Sequence, residues 1–217
     1  MMAGPVRGLI SAVLPPAGIA AGAAELLSLG LAPPIASDPE RDAAIRATVR
    51  LVPELGWTVR ALRTAAGPDA DLMFPGGPVE MVEAHSDLAD REMAADAAAL
   101  AEERRSRRVR ALVLNRLARA DGERDAVRRG LALLSLPGNR VAALRSLART
   151  ADATWNAAGD DATGFSRRSK RAILAGVYGA TLLFWVRGAE PEEVAAFLDR
   201  RLAGVARLGK LRGRSGG

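Results

Sequence analysis

Few side chains in this 217-residue chain have the types and spacing that chemistry needs. Asp160 and Asp161 are adjacent, with Thr163 and Ser166 just behind. Paired carboxylates can share a proton or hold a metal, because like charges in proximity raise one pKa. The same doublet after Gly159 also reads as a loop and helix-cap sequence. His85 is the single histidine, which excludes a metal site built on two imidazoles from one chain. Between Ala84 and Ser86 on an acidic helix, it reads as a surface or packing residue. Cysteine is absent, so disulfides and thiolate chemistry are excluded. No Gly-rich phosphate loop, nucleophile elbow, HExxH or paired ExxH set for two irons is present. These residues point away from an enzyme and call for no cofactor and no metal.

The stretch that organises the chain is instead apolar. From Ala172 to Val186 the only ionisable side chain is Tyr178, and Ile173, Leu174, Val177, Leu182, Leu183, Phe184, Trp185 and Val186 point around the whole helical spiral. A helix of that kind is buried on all sides. Fifteen residues at about 1.5 Å each reach roughly 22 Å, short of the ~30 Å hydrocarbon slab of a bilayer. It is therefore a core helix or one wall of an apolar cavity. Trp155, Ile173, Leu174, Val177, Tyr178, Leu182 and Trp185 are the candidate wall. Such a wall suits an isoprenoid or acyl chain, which gains about 0.8 kcal/mol for each buried CH2.

Around that helix the periodicity is helical throughout, and no stretch alternates with period two for long enough to form a strand. Residues 40–57 place Ile45, Val49, Val52 and Leu55 on one face of a single helix. Thr58 caps a second helix that ends at Gly67-Pro68. The pair reads as a helix-turn-helix, but the position of a DNA-reading helix holds DADLMFPGG, with Asp69 and Asp71 and no donor for phosphates or bases. Pro78 opens a long helix or two nearly continuous ones, whose run Glu102 to Arg110 reads as a solvated, salt-bridged face. Asp121-Gly122 makes the next turn, Glu123 to Leu136 is amphipathic, and Asn139 is expected to cap residues 140–158. Pro191, Glu192 and Glu193 open a last helix.

Charge is divided along the chain. Asp38 to Glu103 holds fourteen acids and six arginines, a net −8, and Arg104 to Gly217 holds twenty-four basic and ten acidic residues, a net +14. The last helix sets Phe197, Leu202, Val205 and Leu208 beside Arg200, Arg201, Arg207 and Lys210, a pattern that fits either an anionic bilayer surface or ordinary docking on the core. Residues 1–37 carry only Arg7 and Glu25 and are interrupted by Pro15-Pro16, which favours a disordered leader over a cleaved signal.

Several segments together resemble a known family. Leu72 to Gly77 followed by PVEMVE, LPGN (136–139), TWNAAGDDATGF (154–165), SKRAILAGVYGATLLFW (169–185) and AAFLDRR (195–201) are similar to the Coq-nine family of ubiquinone biosynthesis accessory proteins. The resemblance runs from about Glu40 to Lys210 and is most specific from Trp155 to Arg201. It implies an all-α, TetR-like helical bundle that forms a homodimer. With the composition of residues 1–37, this predicts a disordered leader at 1–37, a degenerate helix-turn-helix module at 38–98, and a helical lipid-binding and dimerisation domain at 99–217 that ends in an amphipathic helix. It further implies binding of isoprenoid quinone intermediates or phospholipid and their presentation to a quinone hydroxylase. It favours the membrane reading of the terminal helix, and with it a peripheral place at the cytoplasmic, inner face of a bacterial inner membrane. Where the family often reads DFxWYTKRA, this chain has Gly164 to Ala172 as GFSRRSKRA, so Arg167 and Arg168 replace a Trp-Tyr pair. Phe165, Arg167 and Arg168 are accordingly the candidate partner surface. A ligand-responsive TetR-type repressor is the rival reading, with the acidity of residues 38–103 set against DNA.

Overall fold

A computed structural model describes Gly18, Gly22, Glu25, residues 32–100 and residues 104–214, with side chains described as far as Val205. The described residues are all helical apart from turns and connections, and no strand occurs among them.

Asp38 caps α1 (Pro39–Val49) by accepting from the backbone N–H of Glu40 at 3.0 Å and Arg41 at 3.3 Å, with Pro39 in the first turn. The single helix expected over 40–57 is instead broken, and α2 (Val52–Leu55) is a separate turn. Pro53 is the cause, since its ring has no N–H to give and would clash with the carbonyl four residues earlier. Thr58 caps α3 (Val59–Ala66) as expected, accepting from Ala61 N–H at 3.1 Å. Gly67 closes it with φ +104°. A 3-10 turn over Ala70–Met73 leads to α4 (Gly77–Asp96).

The second half comprises α5 (Arg105–Arg119), α6 (Arg124–Leu134), α7 (Arg140–Ala157), α8 (Gly164–Trp185) and α9 (Pro191–Arg214). Asn139 does not cap α7. Its Nδ2 turns back to donate to Leu133 O at 2.9 Å and so closes the end of α6. None of the described helices is long and apolar enough to cross a membrane.

Two apolar clusters hold the bundle. Ile45, Val52, Trp57, Leu62, Phe74 and Met81 form one, joined by Ala126 and Leu134 of α6. Leu112, Ala148, Leu174, Tyr178, Trp185 and Leu198 centre the other. Helix α4 serves both, giving Met81 and Leu88 to the first and Met93 to the second. Its acids follow the same route inward. Glu83, Asp87 and Asp90 are all buried, and each meets an arginine: Arg145 Nε at 2.6 Å, Arg91 Nε at 3.0 Å and Arg116 Nε at 2.6 Å respectively. Arg91 lies on α4 itself, whereas Glu83 with Arg145 and Asp90 with Arg116 pair acids of α4 with arginines of α7 and α5 across the charge division read along the sequence.

Candidate functional site

The uncharged part of α8 runs through the second cluster, and between it and α4, α5, α6 and α7 lies a cavity of about 140 Å³. Tyr178, Gly179, Leu182 and Leu183 come from α8, Val127, Gly130 and Leu131 from α6, Val82 and Ser86 from α4, and Ser146 and Leu147 from α7. Trp57 closes one side, its Nε1 donating to Ala126 O at 2.9 Å. Gly130 permits the close approach there, since a Cβ would stand 3.1 Å from Val82 Cγ1 and 3.4 Å from Trp57 Nε1. An apolar cavity of this order holds a benzene-sized guest.

One end of the cavity is polar. Arg116 donates from Nε to Asp90, from Nη1 to Tyr178 Oη, and from Nη2 to Ser86 O at 3.0 Å and Ser86 Oγ at 3.1 Å. Thr150 Oγ1 donates to the other Asp90 oxygen at 2.9 Å. Burial opposes the charge on Arg116, but Asp90 and Tyr178 outweigh it and hold the guanidinium above its ordinary pKa. Burial also pushes the Asp90 carboxyl up against the pull of Arg116, and it pushes the Tyr178 phenol up, so Tyr178 keeps its proton at neutral pH. His85 lines the same cavity at 2.8 Å from Glu123 Oε2, with its ring 5.4 Å from that of Trp57.

The candidate wall is only partly brought together. Tyr178 and Leu182 line the cavity. Leu174, Val177 and Trp185 are buried in the core around it. Trp155 lies to one side, its Nε1 donating to Lys170 O at 3.1 Å under the Lys170 ammonium. Ile173 is 44% exposed, so the expected burial of α8 on every side is corrected at that position. The sequence reading missed Arg116, Asp90 and Ser146. Their signal was an acid and an arginine falling on helix faces that otherwise carry core residues.

Asp160 and Asp161 do not act as a pair. The Asp160 carboxylate is enclosed and receives Lys170 Nζ at 2.7 Å and Arg171 Nη1 at 3.0 Å, whereas Asp161 is exposed and meets Arg105 at 3.1 Å. Burial would raise the Asp160 carboxyl, but the hydrogen bonds from Lys170 and Arg171 outweigh it and hold it below the ordinary carboxylate range. Arg171, itself buried, also bonds Asp152 and reaches Asn156 Oδ1 at 2.8 Å. Asp160, with Asp152 and Asn156, therefore fastens the start of α8 to the end of α7 and the loop after it, whereas Asp161 ties that loop to α5. Among the described residues no group of three acids or histidines could hold a metal.

Phe165 is 79% exposed and Arg168 stands in solvent beside it, while Arg167 bonds Asp152 at 2.8 Å. The two arginines that depart from the family pattern thus lie outside, and Arg171, which matches it, lies inside. On α9, Val194 and Leu198 are buried, and Phe197 stacks on Phe184 at 4.5 Å. Leu202 and Val205 pack partly on the same core, and Arg110 Nε holds Asp199 at 2.6 Å. The apolar face of this helix is covered as far as residue 205. Arg200 and Arg201 remain exposed, and the side chains of Arg207, Leu208 and Lys210 lie outside the described residues.

Residues 141–209 match the COQ9 family model. Over 83 residues the chain is 36% identical to the rat ubiquinone biosynthesis protein COQ9, mitochondrial, covering 37% of this chain and 27% of that protein. The bovine and human proteins of the same name are each 34% identical over 83 residues, 37% of this chain and 26% of theirs. The matches span only about a quarter of the length of these relatives. All are named mitochondrial, which overturns the expected place at a bacterial inner membrane. The matched region includes α8, with Tyr178 and Leu182, and nearly all of α7. Residues 141–209 of this chain are thus similar to the COQ9 family and to relatives named for ubiquinone biosynthesis.

Proposed function

We propose that this chain is a non-catalytic lipid-binding accessory protein of ubiquinone biosynthesis, which holds an isoprenoid quinone intermediate and presents it to a quinone hydroxylase. The observation that carries the reading is the apolar cavity against α8, walled in part by residues of α7 and α8 that lie in the region matched to the COQ9 family. Relatives named for ubiquinone biosynthesis supply the pathway. The polar end favours a neutral head over a phosphate, because Asp90 already matches the charge of Arg116. The tail leaves by the rim and gains about 0.8 kcal/mol for each methylene kept from water.

The protein works as a homodimer at an anionic membrane surface. Contact with lipid falls to the basic end of α9, beyond the part whose apolar face is covered. Phe165 and Arg168 offer the hydroxylase an exposed aromatic and a cation. Native mass spectrometry and organic extraction of the purified full chain test the reading. Co-purified isoprenoid quinone is the expected result, and retention of phospholipid alone, or of no lipid, overturns it.

A further inference from the structure

Helix α7 turns a row of three hydroxyls toward the interior at one-turn spacing, Ser146, Thr150 and Thr154, and all three residues are buried. Two have partners. Thr150 Oγ1 donates to Asp90, and Thr154 Oγ1 donates to Thr150 O at 2.7 Å. Ser146 Oγ has no partner among the described residues, although the residue is only 7% exposed and lines the cavity. A buried hydroxyl left unpaired is costly, so such a group is a place where a guest supplies the missing bond. Tyr178, which lines the same cavity, accepts from Arg116 at its oxygen and so keeps its own hydrogen for an acceptor.

We infer that Ser146 is the specificity-determining hydrogen-bonding group of the cavity and selects a neutral, ring-sized head bearing a carbonyl or hydroxyl oxygen. The inference rests on the lipid-binding reading above and sharpens it, since it places the head, and not the hydrocarbon tail, between Ser146 and Tyr178. Three features fit this class. The volume suits one ring. The lining is mostly apolar. The positive charge there is matched by Asp90, so an anionic head finds no unpaired cation.

The test uses the full chain and three small rings: p-cresol, its isostere p-xylene, and phenyl phosphate. Ser146→Ala removes a hydroxyl with no partner, so the variant folds with thermal stability equal to or above that of the parent. Calorimetric titration should show p-cresol binding to S146A weakened by about fivefold to tenfold, the range of one hydrogen bond, with p-xylene unchanged. Ser146→Thr keeps the hydroxyl and should restore the cresol-to-xylene ratio, even where its added methyl weakens both. An unchanged ratio in S146A, tighter binding of phenyl phosphate than of p-cresol, or no binding of either neutral ring to the parent overturns the inference. If quinone still co-purifies with the full chain in that event, the lipid-binding reading stands and only the role of Ser146 falls. If the rings discriminate but no quinone is ever retained, the reverse holds.

Discussion

Arg116 Nε donates to Asp90 Oδ1 at 2.6 Å, and the two side chains are 7% and 4% exposed. This pair joins α5 to α4 at the polar end of the cavity. It is also coupled to α8 through Tyr178 and to α7 through Thr150. Removing one partner leaves an uncompensated charge out of reach of water. Arg116→Met or Asp90→Leu alone should therefore lower unfolding free energy by about 3–5 kcal/mol. The double variant should cost clearly less than the sum of the two, and a chemical-denaturation cycle measures the difference.

Acid should weaken the joint between α7 and α8. The Asp160 carboxyl is held below its ordinary pKa by Lys170 and Arg171, so folding is favoured by its ionisation. That contribution is complete above the unfolded-state pKa of about 3.9 and is lost as pH falls through the lower folded value. Thermal midpoints should fall between about pH 5 and pH 2 more steeply in the parent than in Asp160→Asn. Equal slopes would remove Asp160 from the account.

Filling the cavity should separate folding from binding. Leu182→Trp places an indole where Tyr178, Gly179 and Ser146 leave space. The expected result is retained helical circular dichroism, a stability loss of about 1–3 kcal/mol from overpacking, and loss of extracted quinone. Undiminished quinone would move the guest elsewhere.

Helix α9 should divide into two parts by function. Phe197 is stacked on Phe184, with the Arg201 guanidinium 4.8 Å above its ring. Phe197→Ala should thus cost about 2–4 kcal/mol of stability and leave affinity for anionic vesicles nearly unchanged. Deleting residues 206–217 should do the opposite, with vesicle flotation reduced and the thermal midpoint preserved.

Much of the helical order was legible in the sequence because local signals settle it. Thr58, Gly67 and Pro191 mark ends where the structure places them. The break at Pro53 was equally local and was obscured by the apolar spacing that runs across it from Ile45 to Leu55. What could not be read was which face of a helix a neighbour covers. The pattern of α9 is the same for a bilayer surface as for a protein core, and only the position of Phe184 decides for Phe197. Ile173 is exposed because the helices packed on α8 leave that direction open, a fact of the bundle and not of the spiral. Asp90 and Arg116 lie far apart along the chain, and nothing at either position names the other. Ser146 was hidden for the same reason, since an unpaired hydroxyl is defined by its surroundings.

The arginines that answer Glu83 and Asp90 come from α7 and α5, on the far side of residue 100. A fragment cut there would strand those acids in apolar surroundings with no counter-cation, and the remaining piece would present bare guanidinium groups. Neither piece should fold alone, so grafting one half onto a different partner would fail unless the matching cations travel with it.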